Sequence, residues 1–184
     1  MNEETTQAQR TLFSTDFSPN ANIAFKHAIE DTTQVQRILF CTDFSPNANI
    51  AFKHAIEVAQ RYPGAELHLL HVIPAPDAQY WKSYVYMPTI DVDQMAKDAF
   101  DKRVSEEYES MLPKGIILTK AFRIGKAYAE IIRYADEIKA DLIVMGRQGR
   151  GAIESLFFGT VAEKVVKKAK CPVLVIPLQP QAAK

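Results

Sequence analysis

Gly146, Gly149 and Gly159 are separated by two and then nine residues, and Thr160 follows the last of them. Three of the chain's 7 glycines take this spacing. A chance occurrence in such a chain is under about 1%, so the spacing counts as signal. The chemistry it suggests is phosphate binding. Glycines let backbone N–H groups approach an anion closely, and a helix start offers unpaired N–H groups and a positive dipole end. Thr160 would add a hydroxyl donor or a metal contact, and Arg147 and Arg150 would add charge. A plain glycine turn ahead of a helix has the same spelling, and on the glycines alone the two readings stand level. There is no Walker A pattern, hence no lysine placed to clamp a terminal phosphate.

The elements that must position these residues follow from the hydrophobic pattern. RILFCTD (37–43) is a short apolar run, and Ser45-Pro46 after it is an N-cap and first-turn pair. A helix carrying Ala48, Ala51, Phe52, Ala55, Ile56 and Ala59 on one side then runs to Pro63-Gly64. ELHLLHVI (66–73) is a second strand. An aromatic loop over 75–90 carries Tyr80, Trp81, Tyr84 and Tyr86, as a cover for a ligand or as a subunit contact. The spacing predicts a helix over 91–112, a strand over 116–124 and a helix over 126–139. DLIVMG (141–146) reads as a strand buried on both faces. Residues 159–170 are the last helix, and PVLVIP (172–177) is a final strand bracketed by prolines, as an edge strand can be. Strands alternating with helices predict the α/β class and a parallel sheet of about five strands. In such a sheet a ligand lies beyond the carboxyl ends of the strands. Those ends carry Cys41-Thr42-Asp43, Val72, and Met145-Gly146-Arg147-Gln148-Gly149-Arg150-Gly151.

Other polar residues read as structural. His68 and His71 alternate with leucines and lack metal-ligand spacing, so core or strand-end histidines are expected. Lys164, Lys167, Lys168 and Lys170 sit near a helix C-terminus, where cations complement the dipole. Cys171 precedes Pro172 in a turn and is expected to be inert. Asp43 by itself would be a helix-start carboxylate.

The front of the chain is duplicated. Residues 4–30, ETTQAQRTLFSTDFSPNANIAFKHAIE, recur as 31–57, DTTQVQRILFCTDFSPNANIAFKHAIE, with an offset of 27. The differences are Glu4/Asp31, Ala8/Val35, Thr11/Ile38 and Ser14/Cys41. Three of them give the second copy the more apolar residue. A strand slot buried on both faces should therefore choose the second copy by roughly a few kcal/mol. Residues 1–30 are set apart as an appendage, which could be a mobile tail, a docked helix or a segment exchanged with a neighbouring subunit. Residues 31–184 are the domain proper.

Composition limits the function classes. Apolar residues make up 47% of 184, and 22 Lys and Arg balance 22 Asp and Glu. A net charge of zero argues against a broad grip on nucleic acid or anionic lipid. The longest apolar runs fall well short of a membrane span, and MNEETTQAQR does not read as a signal peptide. Two cysteines make no disulfide framework. A reduced, cytoplasmic protein is expected.

Over residues 35–178 the chain resembles the universal stress protein family, specifically its ATP-binding branch. The resemblance is carried by ILFCTDFSPNANIAFKHAIEVA, LHLLHVI and ADLIVMGRQGRGAIESLFFGTVAEKVVKKAKCPVLVIP. It implies an open five-stranded parallel sheet of order 3-2-1-4-5 with helices on both faces. It also implies a site for ATP, or another adenine nucleotide, with Mg²⁺. Asp43 would meet the nucleoside, following Thr42, and Cys41 would line the base pocket, where some members have proline. The backbone at Val72 would read the adenine edge. Met145, Gly146, Arg147, Gln148, Gly149, Arg150 and Gly151, with Gly159, Thr160 and Val161, would wrap ribose and phosphates. The resemblance further implies a homodimer built through 172–177. The function expected is a nucleotide-dependent regulatory or stress-response module rather than an enzyme, since no general base is evident. The alternatives are a slow ATPase or phosphotransfer protein, and an interaction protein without nucleotide.

Overall fold

Apolar runs become strands and punctuated amphipathic stretches become helices in a computed structural model that describes residues 12–14, 35–74, 92–147 and 159–177. In chain order the elements are β1 (Leu12–Ser14), β2 (Arg37–Thr42), α1 (Pro46–Arg61), β3 (Glu66–Ile73) and α2 (Val92–Glu107). A 3₁₀ turn (Glu109–Met111), β4 (Leu118–Ile124), α3 (Ala127–Glu137), β5 (Leu142–Gly146), α4 (Thr160–Lys168) and β6 (Val173–Ile176) follow. The strands form one sheet of order β1-β6-β5-β2-β3-β4, every pair parallel. Without β1 this is the expected five-stranded sheet of order 3-2-1-4-5. The sixth strand, contributed by the first copy of the repeat, is a feature the sequence does not announce. The aromatic loop over 75–90 lies outside the described residues.

Each face of the sheet buries a separate apolar cluster. Ile38 and Phe40 of β2 pack with Phe52 of α1, Val104 of α2 and Tyr108 beyond it. Leu39 and Cys41 pack on the opposite face with Ile131 of α3 and Val165 of α4. The alternation is the two-residue period of a strand buried on both sides. It also explains which copy fills the centre. Val35, Ile38 and Cys41, where copy 1 has Ala8, Thr11 and Ser14, are 4%, 0% and 8% exposed. The more apolar residue stands at each buried position.

Local chemistry sets the ends of the elements. The Ser45 hydroxyl accepts from the Ala48 N–H at 3.2 Å, and Pro46 opens α1. At the entry to β2, one carboxylate oxygen of Asp141 accepts from the Gln36 and Arg37 N–H groups at 2.9 and 2.8 Å. That bond sets the height of β2 against β5.

Candidate functional site

Strands β2, β3 and β5 end together, because Thr42 stands opposite His71 and Cys41 opposite Met145. Beyond β2 the chain makes a tight turn into α1. The Thr42 hydroxyl accepts from the Phe44 N–H at 2.8 Å and bonds the Tyr108 hydroxyl at 2.6 Å. The Thr42 carbonyl accepts from His71 Nδ1 at 2.8 Å. Phe44 has φ +58°, a left-handed conformation rare for a bulky residue. Its ring is held between His71 and Tyr108, with centroids 4.8 and 5.7 Å away, and the Arg103 guanidinium lies 4.3 Å over it. This over-determined turn leaves Asp43 half-buried at the rim, with Oδ1 accepting from the Ser45 N–H at 3.0 Å. Such a conformation stores about 1–3 kcal/mol and persists only where its surroundings enforce it.

The end of β5 is bound to the start of α4. Arg147 donates its N–H to the Ile176 carbonyl at 2.7 Å, and the Gly159 N–H donates to the Arg147 carbonyl at 2.9 Å. Gly159 is the N-cap of α4, and among the described residues no side chain caps it. The first N–H groups of α4 thus stand beside the end of β5 with the positive end of the helix dipole. Thr160 is exposed in this first turn. Arg147 Nε is enclosed and has no hydrogen-bond acceptor among the described residues.

The rim therefore brings together Cys41, Thr42, Asp43, Val72, Met145, Gly146, Arg147, Gly159, Thr160 and Val161. Gln148, Gly149, Arg150 and Gly151 lie outside the described residues. Two members have structural duties as well. The Thr42 side chain is committed to Phe44 and Tyr108, so only its backbone is available to a ligand. Cys41 is buried with Leu70 and Met145, and burial above all, with the Cys171 thiol adding, pushes its pKa well above the usual thiol range. It is a neutral packing group and not a nucleophile.

Asn47 escaped the sequence reading. It is 4% exposed at the start of α1, and a Cβ on Gly146 would stand 3.0 Å from its Nδ2. The signal was present, since Asn47 lies four residues before Ala51 and eight before Ala55 on the buried face. The histidines match their expected roles. His68 meets Tyr134 and Glu66 at 3.4 and 3.2 Å, and no group of three metal-ligating side chains gathers among the described residues. A groove of about 240 Å³, lined in part by Asp136, Lys139, Lys170 and Cys171, opens at the opposite end of the sheet. The 2.8 Å ion pair of Lys170 with Asp136 closes on itself there, away from the rim.

The model of the Universal stress protein family matches residues 34–177. The chain belongs to that family. Universal stress protein MJ0531 of Methanocaldococcus jannaschii is 32% identical over 123 residues, covering 61% of this chain and 72% of its own. Universal stress protein MJ0577 of the same organism is 27% identical over 182 residues, covering 91% and 94%. Its solved structure superimposes with a TM-score of 0.64 over 80% of this chain and 99% of that one. A universal stress protein from Archaeoglobus fulgidus, solved in complex with dAMP, shares the fold at 23% identity, with a TM-score of 0.51 over 77% of this chain and 96% of that one.

Proposed function

We propose that this universal stress protein binds ATP, or another adenine nucleotide, with Mg²⁺ at the carboxyl rim of the sheet, and acts as a nucleotide-dependent regulatory or stress-response module. The observation that carries the reading is the hydrogen-bonded run Ile176–Arg147–Gly159, which sets an uncapped helix start against the end of β5. An anion there would receive the first N–H groups of α4 and give the Arg147 guanidinium a partner. Met145 to Gly151 and Gly159 to Val161 would hold ribose and phosphates. Asp43 and the Val72 backbone would meet the nucleoside and base, and Mg²⁺ would reach the protein through the Thr160 hydroxyl. The dAMP complex of the Archaeoglobus fulgidus protein is in keeping with an adenine nucleotide as the ligand. Both cysteines are free, in keeping with a cytoplasmic setting.

The test is calorimetric titration of the full chain, cleared of co-purified nucleotide, with ATP and Mg²⁺. One saturable site is expected, lost in Gly159→Val with the circular dichroism unchanged. Gly159 has φ −69° and ψ 146°, a conformation valine adopts freely, so the substitution adds a side chain at the helix start with no dihedral penalty. No binding by the wild-type chain would overturn the reading and favour an interaction protein without nucleotide.

A further inference from the structure

Strand β6 consists of four apolar residues, Val173–Ile176, all buried. A strand with one side unpaired presents a row of N–H and C=O groups that another chain can complete. Proteins blunt such edges with charge, proline or a cover. Within β6 there is neither charge nor proline; Pro172 and Pro177 stand outside its ends. The cover is β1, from the first copy of the repeat.

The cover is matched to the sheet in height. Leu12 pairs with Val173, Val173 with Ile143, and Ile143 with Leu39. The next rows run Phe13, Leu174, Val144, Phe40 and then Ser14, Val175, Met145, Cys41. With a repeat offset of 27, every row joins a residue of copy 1 to its own duplicate in copy 2. The backbone alternation fixes the contact further. The carbonyls of Pro172 and Ile176 accept from β5 and the chain beyond it, which leaves Val173 and Val175 facing β1. In a parallel ladder Phe13, lying between their partners, then faces β6. The substitution within β1 that disqualifies copy 1 from the centre, Ser14 for Cys41, is acceptable at an edge.

We propose that the first copy of the repeat is an intramolecular edge cap: Leu12–Ser14 occupies the outer side of β6 and keeps two copies of this chain from pairing through that strand. The prevented contact is isologous, with each β6 completing the other's unpaired row across a two-fold axis. The expected dimer through 172–177 is then the state of the uncapped chain. This inference does not rest on nucleotide binding.

Sedimentation velocity of full-length chains over a range of micromolar concentrations tests it. The wild-type chain is expected at monomer mass. Phe13→Pro removes the donor to β6 and should shift the chain to dimer mass. Leu12→Pro places its proline on the outward side, where an edge strand tolerates it, and should stay monomeric. Amide exchange of the wild-type chain gives a readout that needs no variant, with the Val175 amide protected like its neighbours. A dimeric wild-type chain would overturn the proposal. So would free exchange at Val175 in the wild type, or a folded Phe13→Pro chain that remains monomeric.

Discussion

Gly146 joins two demands in one atom. Its spacing from Gly149 and Gly159 suggests close approach of backbone to phosphate, and in the structure its α-carbon also sits against Asn47. A Cβ there would stand 3.0 Å from Asn47 Nδ2, 3.1 Å from its Cγ and 3.4 Å from its backbone carbon. Asn47 is buried at the first turn of α1 and has little room to yield. Gly146→Ala should therefore lower stability by about 1–3 kcal/mol, the usual cost of overpacking. Urea unfolding would read it, and the loss should shrink in an Asn47→Ala background, because the two positions are in contact. The sequence made the glycine spacing legible because glycine is scarce in this chain. It left this reason hidden because the contact joins positions 99 residues apart by their numbering. Thr42 is similar. Its place after a strand was legible, but its bond to the Tyr108 hydroxyl depends on where α2 ends.

At the scale of elements, the start of α1 was written plainly as Ser45-Pro46, and the structure uses both residues as expected. Ser45→Ala should remove the bond from the Ala48 N–H and cost about 1 kcal/mol, seen as a lowered thermal midpoint. The cost should also reach the rim, since Ser45 donates its N–H to Asp43 and stands next to the left-handed Phe44. The other ends were less legible. Helical spacing continued to residue 112, yet α2 stops at Glu107 and a 3₁₀ turn follows. No glycine or proline marks that stop before Pro113. The stop is tertiary in origin, for Tyr108 is fully buried against Phe40 and Phe52, with its hydroxyl on Thr42. β1 was invisible for a related reason, because its partner, β6, comes more than 150 residues later.

At the scale of the whole molecule, the Cys41 and Cys171 thiols and the Tyr108 and Tyr134 phenols are all shifted in the same sense by burial, complete for some and partial for Cys171. Burial raises the Cys171 thiol from 9.0 to about 11 and pushes Cys41 and the Tyr108 phenol higher still. Each is an acid whose folded-state pKa lies above its unfolded value, so the folded chain holds protons that the unfolded chain has released. The contribution of these groups to stability should be level below pH 9 and fall as the pH rises through 9 to 11 and beyond. For Cys171 alone the fall is at most about 3 kcal/mol, at about 1.4 kcal/mol for each pKa unit. Urea midpoints at pH 8 and pH 10.5 should show the loss, and a Cys41→Val/Cys171→Ala chain should lose less.

The level rows that join Leu12 to Leu39 through Val173 and Ile143 have a consequence for how such a molecule tolerates change. A crystal grows by adding units at a step, where a newcomer finds half its neighbours in place and strains nothing already laid down. An open parallel sheet offers the same kind of step. A segment copied from its middle arrives with the right pleat and handedness to settle at its margin. A repeated strand that would wreck a closed barrel can settle at such a margin, as Leu12–Ser14 does beside β6, with the central strand undisturbed.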